Sequence, residues 1–163
     1  MQHLTVELRH ELRCGDLGRI VTLHGEAYEG LPGFGLKFEA YVAQTIAEYV
    51  LDNAARGRVW LAERDGRLVG CTAVALRAQR VGQLRWVLVE HAARGAGLGR
   101  RLVETAIRYS RECGCRSLYL ETTDGLPESQ ALYEKLGFQL VSSEPQVLWE
   151  DERALIRMEK RLA

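Results

Sequence analysis

The chain has 163 residues, 47% hydrophobic and 27% charged, with 22 basic and 22 acidic side chains and a formal net charge of zero. That length and mix predict one globular domain over residues 1–163, with a full hydrophobic core of its own. Zero net charge argues against a dedicated nucleic-acid or anionic-membrane binder, which needs surplus cations, and no run approaches the ~18 apolar residues of a membrane span.

The N-terminal stretch interrupts its apolar residues with Glu7, Arg9, His10 and Glu11, so no secretory leader is expected. Leu4–Leu8 alternates weakly and predicts a first strand. Asp16 is placed as the N-cap of a helix that carries Leu17, Ile20, Val21, His24, Ala27 and Tyr28 at helical spacing. Beyond the glycine-rich joint Gly30–Gly35, a second amphipathic helix runs through Phe38, Tyr41, Val42, Ile46, Tyr49 and Val50. Arg58–Glu63 and Leu68–Leu76 flank Asp65-Gly66, a two-residue hairpin signal.

Leu84–Val89 predicts another strand, Gly99 to Cys113 a helix, Leu118–Leu120 a strand, and Glu128–Leu136 a helix closed by Gly137. Phe138–Val141 and Ala154–Met158 predict two closing strands. Hairpins run antiparallel, whereas the strand–helix–strand unit from Leu84 to Leu120 demands a parallel crossover. The expected class is therefore α/β (α+β): a mixed, mostly antiparallel sheet of six to seven strands and about four helices.

The four cysteines, Cys14, Cys71, Cys113 and Cys115, form no CxxC pair and no zinc set, and read as reduced thiols of a cytoplasmic protein. No metal is expected. The chemistry concentrates in LRWVLVEHAARGAGLGRRL, residues 84–102. Gly95, Gly97 and Gly99 stand where a strand gives way to a helix, so the backbone can approach a ligand while free N–H groups and the helix dipole point at it. Arg94, Arg100 and Arg101 add charge to this anion cradle. A Walker loop would require Gly-Lys-Ser/Thr where the chain has Gly-Arg-Arg, and a Rossmann fingerprint would require glycine at Arg100.

What fits is Arg94-x-x-Gly97-x-Gly99, which resembles the pyrophosphate loop of the GNAT superfamily of N-acetyltransferases. Downstream, ALYEKLGF at 131–138 resembles the block that closes the GNAT catalytic core. A weaker similarity, in HGEAY (24–28) and residues 84–104, is to GNAT domains fused to MarR-type regulators.

The resemblance implies acetyl-coenzyme A as cofactor, its pyrophosphate on the N–H groups of Arg94, Gly95, Ala96, Gly97, Leu98, Gly99 and Arg100. The pantetheine arm would add like a strand near Leu88 and Val89. Tyr133 matches the tyrosine that often protonates the leaving thiolate in this superfamily. Glu121 stands twelve residues earlier, the spacing of a base in relatives that acetylate protein N-termini, with Glu90 a second candidate. A tyrosine satisfied in the core and a solvated strand-end carboxylate are the plain alternatives.

His24 and Tyr28 are candidates for the acceptor pocket, although a satisfied core histidine is the default for His24. Phe38, Tyr41 and Tyr49 are expected in the core or facing that pocket. Leu126 replaces an Asn common in the family, and His91 a common proline. The expectation is a bacterial, cytoplasmic enzyme moving acetyl directly to a primary amine of a small molecule or protein N-terminus. A homodimer is left open, as is a coenzyme A-binding sensor without turnover.

Overall fold

The computed structural model describes residues 5–52 and 56–163. Seven strands and four helices follow in the order β1 (Glu7–Arg9), α1 (Asp16–Ala27), α2 (Leu36–Leu51), β2 (Arg56–Arg64), β3 (Arg67–Arg77), β4 (Val81–Val89), α3 (Leu98–Glu112), β5 (Ser117–Thr123), α4 (Pro127–Lys135), β6 (Gln139–Leu148) and β7 (Asp151–Arg161). They form one sheet ordered β1-β2-β3-β4-β5-β7-β6. Every neighbouring pair is antiparallel except β4 and β5. The predicted class and the parallel crossover are both present.

Each face of the sheet has its own core. Leu102, Val103 and Ala106 of α3 pack with Leu84, Leu118 and Met158 on one face. Ile20 of α1 and Ile46 of α2 pack with Leu61, Cys71 and Leu88 on the other. The β2–β3 hairpin turns at Asp65 and Gly66, both at positive φ (53° and 73°), as a tight type I′ connection demands.

Three details correct the sequence reading. The first described strand is Glu7–Arg9 rather than Leu4–Leu8, with Leu4 outside the described residues. Asp16 does not cap α1 with its side chain; Gly15 holds the cap position and Asp16 is the first helical residue. Its buried carboxylate instead accepts from Arg9 (2.8 and 3.0 Å), Arg19 (2.9 Å) and the Arg13 backbone N–H (2.6 Å). The Arg9 contact, on a neighbouring strand, holds its pKa down at about 2. The closing strands also outrun their apolar signal, because β6 is an edge strand whose ladder tolerates Glu144 and Pro145.

The feature that creates the site lies in β4. Ala73 pairs with Arg85 but Cys71 with Leu88, so Trp86 and Val87 together oppose Thr72 in a β-bulge. β4 and β5 are paired only over Val81–Gln83 and Ser117–Tyr119. Past that point, among the described residues, β5 pairs with β7 alone, and the edge of Leu88 and Val89 away from β3 carries no strand.

Candidate active site

Two cavities occupy the gap between the parting strands. The first, about 570 Å³, is lined by Leu88, Val89, Gly95, Gly97 and Gly99, among others. Gly95 and Gly97 have φ of +85° and +78°, and a Cβ on either would meet nothing within 4 Å. Their requirement is conformational, and their open side faces the cleft. Gly97 caps α3, and Arg101 is the residue whose N–H first reaches back to Gly97 O, at 3.0 Å. The N–H groups of Leu98, Gly99 and Arg100 thus lie ahead of the helical ladder, with no side-chain cap and no acidic residue in the first turn. This is a cradle for an anion.

Arg94 crosses the mouth of this cleft, its Nε donating to Val89 O at 3.2 Å and its guanidinium 3.7 Å from the Glu128 carboxylate. Arg100 pairs with Glu104 at 2.8 Å along the exposed side of α3. Of the nine residues expected to hold the cofactor, Ala96 is exposed and does not line the cleft. Glu90 lines neither cavity and is ion-paired with Arg67 at 2.9 Å.

The second cavity, about 470 Å³, receives both Glu121 and Tyr133 together with His24 and Tyr28. Its distal wall is aromatic. Tyr28 stacks on Phe34 (4.8 Å between centroids), and Phe38 stands edge-on to both at 4.9 and 5.1 Å. Trp149, in the β6–β7 turn, reaches back across α2 to within 5.3 Å of Phe34 and 4.9 Å of Phe38. Trp86, in the bulge, also lines the cavity, packs on the same Phe34–Phe38–Val42 cluster and stands edge-on to Tyr49 at 5.6 Å. Trp86 and Trp149 both hold left-handed φ, 48° and 61°. For a bulky residue that costs about 1–3 kcal/mol and is found where surrounding structure or function enforces it.

His24 is buried with Nδ1 2.8 Å from Ile20 O, so the carbonyl fixes Nδ1 as the donor and leaves Nε2 as an acceptor. Burial pushes its pKa down to about 4, which makes it a neutral ring at neutral pH. Tyr133 is also buried, edge-on to Phe138 at 5.9 Å, and burial pushes its hydroxyl well above the ordinary tyrosine value. Glu121 is exposed near the end of β5, in register with Arg157 of β7. The two cavities share Tyr28, Val87, Leu126 and Ser129 as a common wall. Leu126 therefore presents apolar surface at the junction.

The sequence reading missed Phe34, Trp149 and the pocket role of Arg85, all of which line the second cavity. One available signal was an aromatic residue, Trp149, in a segment otherwise reading as a polar turn.

The family model described as the acetyltransferase (GNAT) family matches residues 20–138. The chain belongs to that family. An uncharacterised N-acetyltransferase of Escherichia coli (strain K12), YjgM, is 37% identical over 83 residues, which are 49% of this chain and 50% of that protein. The chain thus spans about half the length of this curated relative. In three dimensions the chain is similar to an acetyltransferase of the GNAT family from Desulfovibrio desulfuricans (TM-score 0.79, 18% identity, 98% of this chain and 100% of that one). It is also similar to yncA from Salmonella typhimurium, solved with its cofactor acetyl-CoA (TM-score 0.72, 21% identity, 97% and 94%). Among the described residues, no helix is long and apolar enough to cross a membrane.

Proposed function

We propose that the chain is an acetyl-coenzyme A-dependent N-acetyltransferase acting on a primary amine by direct transfer. The observation that carries this reading is the junction: an anion cradle and a pocket holding Glu121 and Tyr133 share a wall at Tyr28, Val87, Leu126 and Ser129. The cradle's uncapped N–H groups, left-handed glycines and open cleft fit a pyrophosphate, and the strandless edge at Leu88 and Val89, where Val89 O meets the Arg94 side chain, fits an extended amide-bearing arm. When bound, acetyl-coenzyme A supplies a thioester carbonyl whose C–S bond is exchanged for a C–N bond to the amine.

The chain's own contribution is positional and protonic. The shared wall holds the amine beside the cleft, which removes much of the entropic cost of encounter. Glu121 takes the proton released by the amine, directly or through one water. Tyr133 keeps its proton, since burial makes it a weaker acid than free tyrosine, and serves by donating a hydrogen bond to the departing sulfur. No cysteine lines either cavity, and the buried Cys71 thiol is pushed up to about 12, a poor nucleophile, which favours direct transfer.

The test combines calorimetry of coenzyme A binding with thiol release from acetyl-coenzyme A across a panel of primary amines. Binding with amine-dependent release is the expected result. Binding without release for any amine would return the chain to a coenzyme A sensor, and absence of binding would overturn the reading altogether.

A further inference from the structure

The distal pocket constrains the acceptor itself. Phe34, Phe38 and Trp149 stand 4.9–5.3 Å apart in tilted and edge-on pairs, a lining that suits a flat apolar group and offers little to a polyhydroxylated one. An ammonium is poorly suited to this wall, because guanidinium groups already lie on Phe34 and on the neighbouring Trp86. Arg153 lies 4.4 Å from the Phe34 centroid, held by the carbonyls of Asp124 and Pro32, and Arg85 lies 4.5 Å from the centroid of Trp86. A second cation among them would be repelled.

Arg85 carries the second half of the argument. It lines the pocket and, among the described residues, forms no ion pair. It stands two residues past Gln83 on β4, as Glu121 stands two past Tyr119 on β5, and Gln83 and Tyr119 are register partners. Arg85 and Glu121 therefore project from the same face of adjacent strands without pairing to each other. Among the described residues, Glu121 is the one acidic residue lining the pocket. Opposite charges left apart, beside an aromatic wall, complement a zwitterion attached to a ring.

We propose that the acceptor is a free aromatic α-amino acid. Its ring packs against the cavity-facing surface of Phe38 and Trp149, its carboxylate meets Arg85, and its amine faces Glu121. This deepens the N-acetyltransferase reading and rests on it. A polyamine would want more than one carboxylate here, and a sugar phosphate more than one unpaired cation and fewer rings.

The experiment measures thiol release with L-phenylalanine, L-phenylalaninamide, phenethylamine, spermidine and glucosamine 6-phosphate. Calorimetry of L-phenylalanine on the coenzyme A-loaded protein runs alongside. L-Phenylalanine is expected to lead, with kcat/KM roughly 10- to 100-fold above phenethylamine and phenylalaninamide, the worth of one charge-assisted contact. Arg85→Gln should bring the phenylalanine-to-phenethylamine ratio near one. Trp149→Ala should weaken both while coenzyme A affinity holds.

Equal use of phenethylamine and L-phenylalanine by the wild type, or a preference for spermidine or glucosamine 6-phosphate, would overturn the assignment. An unchanged ratio in Arg85→Gln would do the same. The two readings also fail separately. Phenylalanine binding without turnover of any amine sinks the enzyme and spares the pocket, whereas turnover of another amine without phenylalanine binding sinks the pocket alone. With neither binding nor turnover, both fall.

Discussion

Six consecutive residues, Arg94–Gly99, supply the loop of one cavity, whereas the other gathers its rings from Tyr28, Phe34 and Phe38 near one end of the chain and Trp149 near the other. The first is backbone chemistry: N–H groups, left-handed glycines and a helix terminus, with the cations peripheral and partly engaged by Val89, Glu104 and Glu128. The second is side-chain chemistry, with two tryptophans at left-handed φ and a buried neutral histidine. Backbone recognition suits a ligand common to a whole family, since it asks little of side-chain identity. Side-chain recognition suits a ligand that differs between members, since single substitutions retune it.

Four experiments break or sharpen that contrast. Glu121→Gln removes the proposed base from the pocket side, and kcat/KM for the best amine should fall roughly 10²- to 10⁴-fold. Coenzyme A affinity should stay unchanged. A loss under about threefold would leave Glu121 a solvated carboxylate.

The next effect is on stability. The native pKa of His24, about 4, lies below the ordinary 6.5, so the unfolded chain takes up its proton first on acidification. Stability from this residue is therefore complete above pH 6.5 and declines as pH falls toward 4, by an amount on the order of 3 kcal/mol. Melting temperatures recorded from pH 8 to 4.5 should show that decline in the wild type. His24→Asn, which keeps a donor for Ile20 O, should flatten it. Parallel curves would mean that His24 does not govern this window.

Tyr133→Phe deletes one hydroxyl and keeps the ring packed on Phe138. Loss of one well-placed donor predicts kcat down roughly 30- to 200-fold, with melting temperature and coenzyme A affinity nearly constant. A surviving kcat with a lowered melting temperature would make the tyrosine structural. The smallest effect belongs to the cleft. Gly97→Asp puts a carboxylate at φ +78° beside the free N–H groups, and coenzyme A should bind at least about tenfold more weakly. Unchanged affinity in the folded variant would remove the cradle assignment.

The same contrast explains what could be read without coordinates. The loop was legible because its residues are contiguous and its strand–loop–helix context is local. Tyr133 and Glu121 were placed through a neighbouring block of residues, and the structure brings both to one cavity. Trp149 showed only as an aromatic among polar neighbours, because a turn residue reveals its role only when the β6–β7 hairpin folds back over α2. Asp16 was misread for a related reason. An acid at a helix start suggests a cap, but Arg9, on a strand seven residues earlier, claims its carboxylate. The Trp86 bulge had no local signal either, since no glycine marks it.

The wall shared by the two cavities has a thermodynamic consequence. Tyr28, Val87, Leu126 and Ser129 cannot adjust to one ligand without changing the surface met by the other. The two binding equilibria are then linked, and linkage is reciprocal: whatever factor coenzyme A imposes on acceptor affinity, the acceptor imposes on coenzyme A. Leu126, whose side chain carries no polar atom, makes contact and excluded volume the means by which the two ligands feel each other across that position.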